Sequence, residues 1–177
     1  MTQGFERIGS ESIWNGYVVE VRVERFRHAD GAVVERDNVH HPGAVGIVAV
    51  DDTHVWLVRQ PREICGTYLL EVPAGKLDVA GEPPLETAKR ELAEEIGKAA
   101  ETWEPLHGFF TSCGFSDERL QLFLATGLRD VPRPEVEEDE RIEIVPWPLD
   151  RIGDAIAQCE DAKSLVGLLL LQQRRGA

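Results

Sequence analysis

Apolar and polar positions alternate with a period of two along much of the chain, which predicts β-strands with one face toward solvent. Residues 17–24 follow this pattern, and Asp30-Gly31 then predicts a hairpin turn into a second strand at 32–36. Further strands are predicted at 43–50, 54–59, 68–72, 104–111, 120–128 and 142–147. Helical spacing is found in three segments, 83–96, 149–158 and 162–173. Many strands with few, long helices predict an α/β fold of the α+β type, a mixed sheet between helices.

The first helix has the clearest boundaries. Pro83 and Pro84 lie where a first turn tolerates proline, and Gly97 is a helix stop signal. At about 100° per residue, one apolar stripe forms along it. The stripe consists of Leu85, Ala88, Leu92 and Ile96. We therefore expect this helix to pack on the sheet through that stripe.

Three carboxylates lie together beside the stripe. Glu91, Glu94 and Glu95 share one sector because residues three and four apart are neighbours on a helix. Such crowding is unfavourable unless a cation lies among the carboxylates, and hard divalent ions such as Mg²⁺ prefer oxygen ligands. Arg90 lies in the same turn, either to brace one carboxylate or as a plain surface ion pair. The alternative is that this sector is an acidic helix face exposed to solvent, without a bound ion.

The amino-acid composition limits the classes of molecule that this protein can bind. The formal net charge of −13 over 177 residues, with no basic stripe, disfavours nucleic acid. A phosphate-bearing small molecule remains compatible if metal ions and a few arginines offset the negative field. The length predicts one domain with a core, plus an added dimerisation segment.

Other features point to the cytoplasm. The three cysteines lack metal-ligand spacing, which fits a reducing compartment. The N-terminal residues 1–16 are polar, unlike a signal peptide, and the apolar run 165–171 is too short to span a bilayer. We therefore predict a cytoplasmic protein without membrane contact.

The residues around the acidic helix form a longer pattern. It consists of Gly75, Glu82, Arg90, Glu91, Leu92, Glu94, Glu95 and Gly97. This pattern closely resembles the Nudix hydrolase signature. It departs from that signature twice, with six residues instead of five between Gly75 and Glu82 and with Lys98 at a usually hydrophobic position. The first departure lies in the loop, so it bears on Glu82 more than on the helix.

The resemblance implies a Nudix-type α/β/α sandwich and an enzyme that hydrolyses a diphosphate with Mg²⁺ or Mn²⁺. By that resemblance, Glu91 and Glu95 are the primary metal ligands, and Glu94 is an additional or water-mediated ligand. The backbone carbonyl of Ala74 completes the set, and Arg90 is a positioning residue.

Three further segments resemble the ADP-ribose pyrophosphatase branch of the family. They are Val58-Arg59-Gln60-x-Arg62, residues 70–75 with the letters LEVPAG, and GFSDE at 114–118 followed by the strand at 120–128. The resemblance implies hydrolysis of ADP-ribose to AMP and ribose 5-phosphate by a homodimer. Residues 1–40 would form the dimerisation strands that share substrate, and residues 41–177 the hydrolase domain.

The same branch suggests substrate contacts. Arg36 and Arg62 are candidates to grip the diphosphate or ribose, since guanidinium groups bind phosphate in a bidentate manner; the alternative for each is a solvated strand-end charge. Glu71 is a candidate substrate-binding residue within its matching segment. Glu118 either contacts metal or substrate or is a strand-start charge. Cys113 stands where the branch often has proline, which weakens the ADP-ribose assignment but leaves the hydrolase assignment intact.

The branch takes its general base from a mobile loop late in the chain. Glu140, followed by Glu138, is the matching candidate, and acidic decoration is the alternative. Closure of such a loop over substrate would bring in the base and exclude bulk water.

Two other functions stay open. The first is another activity within the family, with GDP-mannose, a dinucleoside polyphosphate or a damaged nucleoside triphosphate as the substrate in place of ADP-ribose. In a different class, the protein is a catalytically silent sensor that binds a nucleotide and regulates a partner. An eroded signature would favour the sensor, whereas here the arginine and the three glutamates are all present.

Overall fold

A computed structural model describes residues 4–133 and 141–176. They form two compact units. The first comprises residues 4–43 and Phe110–Arg119, and the second comprises Ala44–Phe109 and the chain from Leu120 onward. The loop at 110–119 thus groups with the N-terminal strands, because Val39 donates its N–H to the Phe115 carbonyl over 2.8 Å. The predicted functional division at residue 40 stays a prediction.

The first unit is a three-stranded antiparallel sheet rather than the predicted hairpin. Its strands are β1 (Phe5–Asn15), β2 (Glu20–His28) and β3 (Val33–His40). The sequence analysis missed β1 because register shifts at Arg7/Gly9 and Ser12/Trp14 break the period of two. The predicted strand start at residue 17 was also wrong, since Tyr17 lies fully exposed in the turn before β2.

The second unit is built on a seven-stranded mixed sheet. Its strands are β4 (Ala44–Val50), β5 (His54–Arg62), β6 (Thr67–Glu71), β7 (Ala74–Lys76), β8 (Lys98–Phe110), β9 (Arg119–Asp130) and β10 (Glu143–Pro148). The main order is β10-β5-β4-β9-β8, with β6 paired to β5 and β7 to β4. Strand β4 runs parallel to β9 and antiparallel to β5. Strand β8 begins directly after Gly97, six residues earlier than predicted.

Helices cover both faces of this sheet. They are α1 (Pro84–Ile96), α2 (Ile152–Gln158) and α3 (Ala162–Gly176). Alternate residues of β4 point to opposite layers, with Val45 and Ile47 in the core cluster of α1 and Val48 in that of α2 and α3. Within the second unit this is the predicted α/β/α sandwich.

The predicted first helix is confirmed. Pro84 is its first residue, and Gly97 ends it with a φ of 64°, donating its N–H to the Ala93 carbonyl over 3.0 Å. The predicted stripe faces the sheet, with Leu92 fully buried and Ile96 nearly so. Burial of that stripe fixes the rotation of the helix, and hence the direction of the neighbouring glutamates.

Two smaller findings concern the cysteines and the membrane. Cys65, Cys113 and Cys159 are free, and only Cys159 is buried. Among the helices in residues 4–133 and 141–176, none has the length and apolar character that crossing a bilayer requires.

Candidate active site

The segment between β6 and α1 brings the signature together. Strand β7 pairs with β4, with Ala74 opposite Gly46 and Gly75 opposite Val45. The Ala74 N–H donates to the Glu95 carboxylate over 3.1 Å. Glu95 is 7% exposed, so this bond fixes a nearly buried carboxylate at the end of the sheet.

Gly75 lets the backbone of β7 approach Glu91 closely. A β-carbon placed at residue 75 would overlap the Glu91 side chain, with its carboxyl carbon and one carboxylate oxygen among the nearest atoms. Only glycine leaves that space, because it has no side chain. The signature glycine therefore forms a cradle for a carboxylate that was predicted to hold metal.

Arg90 lies among the acidic side chains of α1. One terminal nitrogen is 2.9 Å from a Glu91 oxygen and 2.7 Å from a Glu94 oxygen. The other is 3.4 Å from Glu82. Burial opposes the charged form, but the hydrogen bond to Glu82 and the charges of Glu91 and Glu94 raise the pKa of Arg90 further above its usual value. Arg90 thus balances part of the negative charge.

Glu82 supports Arg90 from the loop. The buried Thr87 hydroxyl donates to the same Glu82 oxygen over 2.8 Å. This bond and the one from Arg90 lower the pKa of Glu82 below its usual value. The inserted loop residue thus leaves Glu82 able to contact α1. The sequence analysis did not single out Thr87, because a threonine in a helix carries no specific signal.

The three glutamates suit a hard divalent ion by ligand type. They supply carboxylate oxygens from one sector, and Gly75 leaves room for one of them. Within the described residues, however, no group of three or more Asp, Glu, His or Cys side chains is already arranged to hold a metal. The reason is visible in the contacts, since Glu91 and Glu94 turn toward Arg90 and Glu95 accepts the Ala74 N–H. If these glutamates hold an ion, their side chains must first rearrange locally.

Arg62 and Glu71 form a bidentate pair beside this site. Nε and a terminal nitrogen of Arg62 each lie 2.6 Å from a Glu71 oxygen. Glu71 is 1% exposed and also accepts from Lys163 Nζ over 2.5 Å. These contacts occupy both of its oxygens within the protein, so the geometry favours a supporting role over direct contact with substrate; the substrate-binding role stays a prediction.

Arg62 keeps an accessible edge. Its side chain is 41% exposed although Glu71 holds it. The hydrogen bonds to Glu71, and more weakly the charge of Glu95, raise the pKa of Arg62. Arg62 is therefore a permanent cation with an accessible edge, and guanidinium groups of this kind suit phosphate recognition.

Arg36 and Glu118 belong to the first unit. Arg36, on β3, donates to the backbone carbonyl of Glu35 over 2.7 Å and lines a cavity of about 770 Å³. Glu118 accepts from the Thr111 hydroxyl over 2.5 Å and lies 3.5 Å from His41 Nδ1. Cys113, at the position where proline was expected, is exposed and lines the same cavity as Arg36.

The candidate general bases, Glu138 and Glu140, lie outside the described residues. The chain that leads to them is described as far as Arg133, whose Nε donates to the Glu94 carbonyl over 2.7 Å. Val131 N–H bonds to the Gly97 carbonyl over 3.0 Å. The described chain before the segment that carries both glutamates therefore ends in contact with the C-terminal end of α1.

Comparisons with known proteins agree with this architecture. The NUDIX domain family matches residues 40–166. An ADP-ribose pyrophosphatase of Mycobacterium tuberculosis (strain ATCC 25618 / H37Rv) is 47% identical over 144 residues, covering 81% of this chain and 70% of that protein. An ADP-ribose pyrophosphatase of Bacillus subtilis (strain 168) is 37% identical over 169 residues, covering 93% and 91%.

A solved structure supports the fold. The crystal structure of an ADP compounds hydrolase superposes with a TM-score of 0.82, covering 97% of this chain and 94% of that one at 23% identity. Together with the acidic helix, the glycine cradle and the extent of the family match, these likenesses establish that the chain belongs to the Nudix family of hydrolases.

Proposed function

We propose that this enzyme hydrolyses the diphosphate of ADP-ribose to AMP and ribose 5-phosphate, with Mg²⁺ as the divalent ion. The main support is that Glu91 and Glu95 converge on β7. The Glu91 carboxylate fills the space left by Gly75, and the Glu95 carboxylate accepts the Ala74 N–H. The two relatives named ADP-ribose pyrophosphatase support the choice of substrate.

The acidic sector holds the ion. Glu91 and Glu95, one turn apart, are the primary ligands, Glu94 is an additional or water-mediated ligand, and the Ala74 carbonyl completes the set. The ion, when bound, neutralises charge on the diphosphate and lowers the pKa of a water molecule. Arg90 balances part of the charge of Glu91 and Glu94 until the ion takes its place. Mn²⁺ fits the same oxygen ligands.

The arginines bind the substrate. Arg62 presents its exposed edge to the diphosphate while Glu71 fixes its orientation. Arg36, with the aromatic residues Phe5 and Phe26 in the same cavity of the first unit, contacts the ribose or phosphate of the nucleotide. Glu118 contributes a further polar contact to metal or substrate.

The general base comes from residues 134–140. The described chain before this segment ends at Arg133, whose Nε donates to the Glu94 carbonyl of α1. Glu140 is the first choice for the base, with Glu138 as the second choice. A Glu140→Gln variant that keeps the wild-type kcat would transfer the role to Glu138.

The N-terminal sheet supports a homodimer, which in this proposal forms in the cytoplasm. Ile13, Trp14 and Tyr17 are 56%, 57% and 102% exposed in the first unit, so these large apolar side chains are available for a subunit contact. Sedimentation at micromolar concentration is expected to give twice the chain mass of 19.7 kDa, and a persistent monomer would contradict the dimer.

Product analysis tests the substrate directly. Incubation of the purified protein with ADP-ribose and Mg²⁺ should give equal amounts of AMP and ribose 5-phosphate, and EDTA should stop the reaction. GDP-mannose, a dinucleoside polyphosphate and an oxidised nucleoside triphosphate serve as competitors. If one of these compounds is hydrolysed faster than ADP-ribose, that compound is the preferred substrate. Tight ADP-ribose binding without any turnover would instead favour a nucleotide sensor.

A further inference from the structure

The segment that carries the predicted carbonyl ligand is held at every residue from 71 to 74, by the side chain of Glu71 and by the backbone of the other three. Two of these contacts come from the site's own elements. The Pro73 carbonyl accepts the Ile47 N–H over 2.8 Å, and the Ala74 N–H donates to Glu95 over 3.1 Å. These bonds fix the segment to β4 and to α1.

The other two contacts come from α3, about 90 residues further along the chain. Ser164 Oγ accepts the Val72 N–H over 2.8 Å, and Ser164 is fully buried. Lys163 Nζ lies 2.5 Å from Glu71, on the carboxylate that also orients Arg62. Two adjacent side chains of the last helix thus reach the two residues that precede Pro73.

Asp161 fixes both of these side chains. Its carboxylate accepts the Ser164 N–H over 3.0 Å, which is the N-cap bond of α3. The same oxygen accepts from the Ser164 hydroxyl and lies 3.0 Å from Lys163 Nζ. Because Ser164 donates its hydroxyl proton to Asp161, its oxygen is oriented to accept from Val72.

The helix itself has little freedom to shift. A β-carbon at Gly167 would lie 2.9 Å from a methyl of Val48. The backbone of α3 at Gly167 therefore packs closely against the Val48 side chain of β4. Just before α3, the Cys159 thiol contacts the Leu70 carbonyl at 3.6 Å. The N-terminus of α3 is therefore a fixed support for the end of β6.

We infer that Lys163 and Ser164 are positioning residues for hydrolysis, acting on the metal site and on substrate through residues 71–74. Lys163 neutralises the buried Glu71 carboxylate so that Glu71 can hold Arg62 toward the diphosphate. Ser164 fixes Val72, and with it the path of the chain to the Ala74 carbonyl. This inference rests on the proposed function.

The two residues have separable effects. Without Lys163, the buried Glu71 carboxylate keeps only Arg62 and draws it inward, because an incompletely paired buried charge is costly. Substrate binding then suffers. Without the Ser164 hydroxyl, the buried Val72 N–H loses its acceptor and the neighbouring backbone shifts. Metal binding then suffers before any substrate is present.

The test compares Lys163→Met and Ser164→Ala with Arg174→Met. Arg174 lies on the same helix and pairs with Glu104 at 2.6 Å and 3.0 Å. Both of these side chains are exposed, and neither residue is near residue 71 in the sequence. Steady-state kinetics with ADP-ribose, Mn²⁺ titration followed by electron paramagnetic resonance without substrate, and thermal melts are measured on the full chain. Lys163→Arg restores a cation at position 163.

Partners that orient ligands typically contribute about 10–100-fold to metal affinity or activity. Lys163→Met should raise KM by about tenfold or more with a smaller effect on kcat, and Lys163→Arg should recover most of that loss. Ser164→Ala should weaken Mn²⁺ binding by about tenfold, whereas Arg174→Met changes neither KM nor Mn²⁺ affinity.

A Lys163→Met variant with the KM of Arg174→Met, or a Ser164→Ala variant with wild-type Mn²⁺ affinity, would overturn the corresponding half of the inference. If Lys163→Met does not fold, Lys163→Gln, which removes the charge but keeps a polar side chain, takes its place in the KM comparison, and the Mn²⁺ titration of Ser164→Ala is unaffected. If the wild type releases no AMP from ADP-ribose, the proposed substrate fails, and the substrate-free Mn²⁺ titration still tests the role of Ser164.

Discussion

Replacing Glu95 by glutamine is expected to reduce Mg²⁺-dependent hydrolysis of ADP-ribose by about a thousandfold while leaving the fold intact. The amide oxygen of glutamine can still accept the Ala74 N–H, as the carboxylate does over 3.1 Å. The second carboxylate oxygen is replaced by an amide NH₂, which donates hydrogen bonds and cannot bind a cation. The variant thus removes a metal ligand and keeps the contact between α1 and β7.

Stability should change little in this variant. Glu95 shares its sector with Glu91 and Glu94, so the loss of one negative charge relieves repulsion and offsets the weaker hydrogen bond. We expect the free energy of unfolding to change by less than about 1 kcal/mol. Kinetics and urea unfolding measure the two effects separately.

Glu86→Gln is the matched control. Glu86 is on the same helix and is 53% exposed at its side chain, with Lys89 as its partner at 2.8 Å. Its replacement removes the same charge outside the acidic sector and should leave kcat and KM unchanged. Equal activity of Glu95→Gln and Glu86→Gln would show that Glu95 does not hold the ion.

Replacing Gly75 by alanine should weaken metal binding by about a hundredfold without unfolding the protein. The added methyl would occupy the space of the Glu91 carboxylate. Glu91 has a flexible side chain, so it moves away, and the strand does not have to. Gly75 has no positive φ, so alanine is compatible with the backbone there. Isothermal titration with Mn²⁺ measures the change.

Gly153→Ala controls for the substitution itself. Among the described residues, a β-carbon at Gly153, in α2, would meet only Gln172, at 3.9 Å, an ordinary contact. Alanine favours helix over glycine by about 1 kcal/mol, so this variant should be as stable as the wild type or more so. Its Mn²⁺ affinity should not change. Wild-type affinity in Gly75→Ala would mean that Glu91 is not a metal ligand.

The acidic helix and its role in the fold were predictable because the information is local. Leu92 and Ile96 set which face packs on the sheet, and the spacing of Glu91, Glu94 and Glu95 then follows from helix geometry. Gly97 marked the end of the helix for the same reason. Such features depend on residues within one turn of each other.

Long-range contacts were not predictable. Lys163 and Glu71 are 92 residues apart, and neither position shows in its own segment that the other is its partner. The sequence analysis therefore named Glu71 only as a substrate-binding candidate, a role that stays a prediction, and did not anticipate its contacts with Arg62 and Lys163. Strand β1 escaped prediction because its two register shifts turn consecutive residues to unexpected faces.

The decisive measurement is a crystal structure with Mn²⁺ and a non-hydrolysable ADP-ribose analogue, using the anomalous signal of the metal. We predict metal peaks within about 2–2.6 Å of Glu91 and Glu95 oxygens, with the analogue's diphosphate bound to the same ions. Bound analogue with Mn²⁺ absent from these carboxylates, or held only elsewhere, would contradict the account.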